Sequence, residues 1–393
     1  MIINENIICF GFAEWDNPYK TNQHHLMSRL SANNRILFIE SLGLRRPTFQ
    51  KKDIFRIFKR VIKWLKGIRT SKPNLFVFAP LVLPFHRYRF IRNFNNWFLG
   101  KQLDIVIAKL KLNNPIIWTY IPNAVEYLAR WKEKLCIYHC VDDISANPLV
   151  PKEAFHELEE MLLKKVNIVF ASSKPLFEQK IKFNKNTYYL PNVADFDHFN
   201  KADSKDIPLA EELEKIPSPR LGFMGAISEY KLDFELLAFL AEKHPEWSII
   251  LIGDTGEGEK KADLSSLIKN KNIYFLSGKQ YNQLPMYLKG FDICLLPNKI
   301  NQYTKNMFPM KFFEYLSSGK PIISTNLDSL NEFKELFYLS DGKEEFEENV
   351  LKALKENSEE LKNKRIELAK QYTWEKRIEQ MSEIIEAELK KQN

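Results

Sequence analysis

The sequence predicts an α/β protein of two domains, each a parallel, doubly wound sheet, and three observations lead there. Short apolar runs alternate with helical patterns through both halves of the chain, as parallel sheets with crossover helices require. A chain of 393 residues exceeds one ordinary core and suits two. Between the halves lies a polar, charged stretch, KADSKDIPLAEELEKIPSPR, ending in two prolines.

The strand-like runs of the first half are 7–11, 35–39, 75–78, 115–120, 135–140, 168–172 and 187–190, with helical patterns over 23–30 and 152–165. The second half repeats the alternation at 220–224, 247–253, 273–276, 293–296 and 322–324. These readings place a first domain over 1–200, a linker over 201–219, a second domain over 220–372 and a last helix over 373–393. No internal repeat relates the halves.

Composition is that of a globular protein, 45% hydrophobic and 27% charged. The N-terminus, MIINENIICFGF, has no basic leader segment, and no run of about 18 apolar residues occurs, so a cytoplasmic, non-transmembrane protein is expected. Cys9, Cys136, Cys140 and Cys294 lie in strand-like runs without CxxC spacing and read as buried free thiols. The seven histidines form no ligand pattern, so no protein-bound catalytic metal and no cofactor are expected.

The net charge of +8 is local: eleven Lys/Arg face the single acid Asp53 between Arg45 and Lys72. Within that stretch Ile54, Phe58, Val61, Leu65 and Ile68 recur at helical spacing, with Lys52, Arg56, Lys59, Lys63 and Lys66 on the other side. A basic amphipathic helix over 51–68 suits an anionic membrane surface, and Trp64, the run Phe85–Phe94 and Trp97 add aromatics nearby. The alternative is a helix packed on its own domain with a solvated basic face. Nucleic acid is not an expected partner, because the rest of the chain is not basic and carries no recognition motif.

The stretch FPMKFFEYLSSGKPIIST, Phe308 to Thr325, carries the strongest functional pattern. Pro309 fits the first helical position, and Gly319 and Pro321 stop the helix. Flanked by strand-like FDICLLP and PIIST, the helix is the crossover of a βαβ unit, with its N-terminus at the ligand edge of the sheet. Lys311 and Glu314, three apart, share one face, while Phe312, Phe313 and Leu316 pack inward. A cation for a diphosphate and an anion for vicinal ribose hydroxyls describe a sugar-nucleotide site. A surface ion pair on an ordinary helix is the competing reading.

This segment resembles P-x-K-x-x-E-Y-x-x-x-G-K-P-[IV]-[IV]-[SA] of the GT-B glycosyltransferases, a family of two Rossmann-like domains facing a central cleft that includes bacterial capsule, exopolysaccharide and teichuronic acid enzymes. In many relatives a second glutamate stands eight residues earlier, where this chain has Asn306, so the resemblance implies no choice between retention and inversion.

The other candidates follow from strand ends and from the resemblance. In LGFMGAISEYKLDFELL, Gly225 permits close backbone approach, and the resemblance makes Lys231 a phosphate lysine, although Ala226 replaces the arginine common in relatives. LIGDTGEGE has a phosphate-loop look but three acids, and reads as a strand-end loop. FLSGKQYNQLPMYLKGFD resembles a family segment beside the nucleobase, implying backbone contacts at Gly278 and Lys279; Tyr303 and Thr304, just before the key helix, would border the diphosphate. In the first domain IYHCVDDISANP ends a strand with two carboxylates. Asp142 is the candidate general base, and Asp143 the second choice; capping of the next helix is the alternative for either. Family resemblance points to Asp142 as well. Gly11 opens the acceptor-side loop, and His24 and His25 read as exposed residues of the following helix, with His24 facing the cleft as the sharper alternative. LPNVADFDHF resembles L-P-N-G-V-D-x-x-x-F and marks the family more than any role.

The expected function is transfer of a sugar from a nucleotide-diphosphate donor, UDP-linked, to a lipid-linked or polysaccharide acceptor in cell-surface glycan synthesis, at the inner face of the membrane. A nucleotide-sugar epimerase of the same fold and a noncatalytic subunit of an assembly complex are the alternatives.

Overall fold

The strand runs are apolar from end to end because both faces of each sheet are covered. The computed structural model describes residues 1–17, 19–41, 51–82, 89–146, 150, 152–256 and 262–392. Its contacts separate into unit 1, Met1–Leu190 with Ile378–Asn393, and unit 2, Pro191–Arg377.

Unit 1 holds strands β1 (Asn6–Phe10), β2 (Arg35–Ile39), β3 (Arg69–Lys72), β4 (Leu75–Phe78), β5 (Ile116–Thr119), β6 (Leu135–Cys140), β7 (Ile168–Ala171) and β8 (Thr187–Tyr189). They form one sheet in the order β3-β4-β2-β1-β5-β6-β7-β8, parallel except for β3 against β4. Ile8 of β1 sits beside Leu37 on one side and Ile117 on the other. Helices Arg89–Leu110 and Lys152–Lys165 press Leu99, Leu103, Leu162 and Leu163 onto one face, against Ile8, Leu37, Ile117 and Tyr138.

Unit 2 holds β9 (Arg220–Met224), β10 (Ser248–Ile252), β11 (Ile273–Leu276), β12 (Ile293–Leu296), β13 (Ile322–Thr325) and β14 (Tyr338–Ser340) in the order β11-β10-β9-β12-β13-β14, all parallel. Alternation along β10 divides the core: Ile250 and Ile252 join Phe308, Phe312 and Phe313 on one face, whereas Ile249 and Leu251 join Leu236, Leu237 and Leu240 on the other. Strand order reverses between β9 and β12, and in open α/β sheets such a reversal marks the ligand crevice outside the carboxyl ends of the strands.

The sequence and the structure differ in four places. The stretch read as a linker lies inside unit 2, because Ala202, Ala210, Leu213 and Ile216, spaced through its polar residues, are buried against Leu288 and Phe291. The two outer strands β3 and β14 had no sequence signal: RTSK and YLS are short and half polar.

The basic helix spans Lys51–Leu65, and Gly67 at φ 66° turns the chain before Ile68. Among its described side chains, apolar Phe58, Ile62 and Leu65 face outward beside Lys59 and Lys66, while Trp64 packs on the core. Phe58 is 61% exposed and Leu65 70%, whereas Arg60 donates to the carbonyls of Pro80 and Ser41, and Lys63 pairs with Glu14 at 2.8 Å and Glu40 at 3.3 Å. The cause is Glu40, buried at the end of β2, which needs cations: it also takes Arg69 at 2.8 Å and the Trp15 amide at 2.9 Å.

His24 and His25, read as exposed, are buried at 3% and 7%. The four cysteines are buried free thiols, and burial pushes those of Cys136, Cys140 and Cys294 up to about 12. Residues 42–50, 83–88, 147–149 and 257–261 lie outside the described residues, and with them parts of the basic stretch, of Phe85–Phe94, of the segment after Asp143 and of the loop after β10.

At the ends of β9 and β10 the backbones touch: a Cβ on Gly253 would lie 1.8 Å from the Gly225 carbonyl oxygen. Gly253→Ala should therefore cost about 3 kcal/mol or more. Thermal unfolding should show a midpoint about 6–12 °C lower; an unchanged midpoint would mean that the strand ends separate freely.

Candidate functional site

The helix Lys311–Leu316 begins two residues after Pro309 and buries Phe312, Phe313, Tyr315 and Leu316 in the core of unit 2. It is pinned at both ends. Asn192 donates to the Phe308 carbonyl at 2.8 Å and Ser329 to the Met307 carbonyl at 2.7 Å, while Asn200 donates to Ser317 at its far end. The Tyr315 hydroxyl accepts the Met224 amide at 2.9 Å, tying the helix to the end of β9. Asn192 belongs to the LPN triplet that carried no role in the sequence; its role is to set the mouth of this helix.

Lys311 and Glu314 do share a face and are joined, Nζ to Oε2 at 2.8 Å. Glu314 is 4% exposed and Lys311 28%, so the pair offers a cation at the surface with a carboxylate behind it. Buried carboxylates without partners are costly, and Lys311 supplies one.

The loops leaving β9 and β12 are laced together. Gly225 donates to Ile252 and Ile227 to Asp254, after which the Lys231 carbonyl accepts the Lys299 amide at 2.8 Å. Asn301 caps the short turn Gln302–Lys305 by accepting the Tyr303 and Thr304 amides, and its own amide donates to the Tyr230 carbonyl. This brings Lys231 over the Tyr303 ring at 5.2 Å, with Tyr230 edge-on to Tyr303 at 5.5 Å. Thr304 is different: its hydroxyl donates to the Lys299 carbonyl and accepts the Asn301 amide, so it is occupied in the turn. Asn306, where relatives carry glutamate, is buried at the end of the same turn. Asn298, buried at 5%, keeps a side-chain oxygen with no donor among the described residues.

Gly278 follows β11. Next to it the Lys279 ammonium is held by Glu212 at 2.7 Å, which leaves only its backbone to approach a ligand. His198 stacks on Tyr281 at 4.3 Å, donates from Nε2 to the Tyr281 carbonyl at 2.8 Å, and is kept below its usual pKa by burial. Among the described residues no group of three His, Cys, Asp or Glu is arranged to hold a metal ion.

Residues 218–370, which contain this crevice and every one of its side chains except Asn192, His198, Asn200 and Glu212, match the family model described as "Glycosyl transferases group 1". Residues 218–370 form a glycosyltransferase group 1 domain. Bacillus subtilis TuaH, whose name assigns it to teichuronic acid biosynthesis as a glycosyltransferase, is 32% identical over 116 residues, 29% of this chain and 28% of TuaH. The match therefore spans well under half of that relative. Sucrose-phosphate synthase from Thermosynechococcus elongatus superposes with a TM-score of 0.70 at 13% identity, covering 98% of this chain and 99% of that one. Anabaena HepE in complex with UDP-glucose gives 0.68 at 12% identity, covering 97% and 99%. The fold is GT-B.

Outside the glycosyltransferase domain, the unit 1 candidates fall into two groups. Gly11 is a packing glycine, since a Cβ there would lie 2.3 Å from the Phe38 ring. His24 completes a capping box with Thr21, bonds the Glu14 carbonyl through Nε2 at 3.0 Å and packs against Trp15 and Phe38. Burial drives its pKa down to about 4. Asp143 is buried and accepts the Ser145 hydroxyl at 2.5 Å, close to the buried Lys180–Glu159 pair, whereas Asp142 is half-buried. Asp143 thus carries local structure, and the two carboxylates are unequal in access.

Two outcomes follow from this geometry. Asn192→Ala leaves the buried Phe308 carbonyl unsatisfied, which should cost about 1–3 kcal/mol in chemical unfolding and weaken nucleotide binding more than Ser329→Ala does. For His24, the unfolded imidazole takes a proton near 6.5 and the folded one only near 4. Stability should therefore fall as pH drops through that window, by about 3 kcal/mol at its foot. Urea unfolding of His24→Gln, which keeps the cap, should show a flatter pH dependence between those values; an equal slope would place the titration elsewhere.

Proposed function

We propose that this chain is a glycosyltransferase that takes a sugar from a nucleotide diphosphate, UDP-linked, and passes it to a hydroxyl of a lipid-linked or glycan acceptor at the inner face of the cell membrane. The observation that carries the reading is that the glycosyltransferase domain contains the β9/β12 reversal, with Lys231 and Tyr303 on the loops after these strands and the Lys311–Glu314 pair on the helix that Tyr315 ties to the end of β9. The UDP-glucose in Anabaena HepE, a protein of the same fold, supports the choice of uridine.

In this reading Lys311 and Lys231 face the diphosphate, and Glu314 accepts the ribose hydroxyls. The acceptor oxygen attacks the anomeric carbon, the bond from that carbon to the phosphate oxygen breaks with its electron pair, and Asp142 takes the acceptor's proton. Lysines placed before the reaction stabilise the charge that develops on the leaving diphosphate without reorganising. The nucleotide sugar is a substrate, and no resident cofactor is part of the scheme. The likeness to TuaH supports an acceptor in cell-surface glycan synthesis.

Thermal unfolding with uridine, guanosine and adenosine diphosphates and their sugars tests the donor site. UDP at about a hundred times its dissociation constant should stabilise the protein by about 2.7 kcal/mol. Lys311→Ala and Glu314→Gln should each reduce that shift while the unliganded protein remains folded. No shift with any nucleotide overturns the donor site, and isomerised sugar without acceptor product would make the protein an epimerase.

A further inference from the structure

The helices Lys51–Leu65 and Arg89–Leu110 of unit 1 each turn a line of large apolar side chains outward. On the first, Phe58, Ile62 and Leu65 are 61%, 38% and 70% exposed; on the second, Phe90, Phe94 and Trp97 are 71%, 44% and 58% exposed. Both lines have i, i+4, i+7 spacing, so each is a single stripe along its helix. The second stripe continues through exposed Lys101 to Ile105, 68% exposed.

Neither stripe is a loose surface, because the opposite face of each helix is fastened. Arg60 donates to the Pro80 carbonyl at 3.1 Å and Lys63 to Glu14 and Glu40, while Trp64 packs on the sheet core. On the second helix Gln102 accepts the Leu81 amide and donates to the Leu81 carbonyl, with Leu99, Leu103 and Val106 in the core. Pro80 and Leu81 are consecutive, so both helices are anchored at one point just beyond β4. Phe94 also stacks on Phe98 at 5.6 Å and leans on Trp97 at 5.9 Å, which holds the second stripe in place.

We infer that these two stripes are the surface by which the protein enters an anionic bilayer, with the aromatic and aliphatic side chains dipping to the level of the acyl boundary. The inference gives a surface to the membrane location proposed above and rests on that reading. Charge selects the occupant. Exposed Lys59 and Lys66 border the first stripe and Lys101 lies within the second, so apolar groups are ringed by cations, and Trp97 is of the type that settles at headgroup depth. A second copy of the chain docking on the same face by a two-fold axis would set these lysines against one another. An anionic headgroup layer meets them with the opposite sign.

This divides the basic residues of the sequence pattern, Lys59 and Lys66 facing outward and Lys63 inward. Lys63 belongs to the ion-pair network that holds the helix down, so reversing its charge should unfold this region instead of testing contact with lipid.

The test is co-sedimentation with vesicles of phosphatidylcholine alone or mixed with phosphatidylglycerol, using the full chain. The wild type should bind the mixed vesicles and release them as salt rises. Phe58→Ser with Leu65→Ser, and separately Phe90→Ser with Trp97→Ser, should each weaken binding about tenfold or more. The UDP-induced thermal shift of these variants should stay as in the wild type, which separates loss of this surface from misfolding. Lys59→Glu with Lys66→Glu should abolish the preference for phosphatidylglycerol. Wild-type protein that stays in the supernatant with both vesicles overturns the membrane location itself. Wild type that binds while both serine variants bind equally overturns this surface alone. A concentration-dependent dimer in sedimentation velocity that the serine variants lose, without vesicle binding, would make the stripes a self-association face and overturn the inference.

Discussion

The hydrogen bond from the Met224 amide to the Tyr315 hydroxyl joins the two halves of the crevice in unit 2. Met224 ends β9 and leads into Gly225 and the loop to Lys231; Tyr315 stands on the helix that carries Lys311 and Glu314. Burial holds the Tyr315 hydroxyl far above its ordinary pKa, so it stays neutral in that apolar setting. The caps at Asn192, Ser329 and Asn200 then leave the helix little freedom, and rigid placement is what a charge-stabilising site requires.

Much of the fold was legible because its signals are local. Strands such as IVFA and ICLL are apolar throughout, and only coverage on both faces explains that pattern. The Lys311–Glu314 pairing was legible too, since spacing along a helix fixes which side chains can meet. The strand order of each sheet was not, because it depends on which edge each crossover returns to.

What escaped the sequence was decided by partners distant along the chain. A helical pattern with one apolar and one basic side does not say which residues are buried; in Lys51–Leu65, Glu40 and the Pro80 carbonyl draw Lys63 and Arg60 inward and leave Phe58, Ile62 and Leu65 outside. His24 looks like an ordinary polar helix residue until Trp15 and Phe38 close over it. Asp142 and Asp143 are adjacent and chemically alike; Ser145 and the Lys180–Glu159 pair distinguish them. Thr304 was named for a ligand and serves its own turn, as short hydroxyl residues near helix starts often do.

The last helix, Trp374–Gln392, has a consequence for synthesis. Its first residues belong to unit 2, and from Ile378 onward it belongs to unit 1, where Ile378, Met381 and Ile385 are buried. A ribosome releases the first 190 residues of unit 1 long before the piece that completes them. Unit 1 therefore lacks its last segment while the whole of unit 2 is made, so the surface that this segment covers stays open to solvent until the end of synthesis.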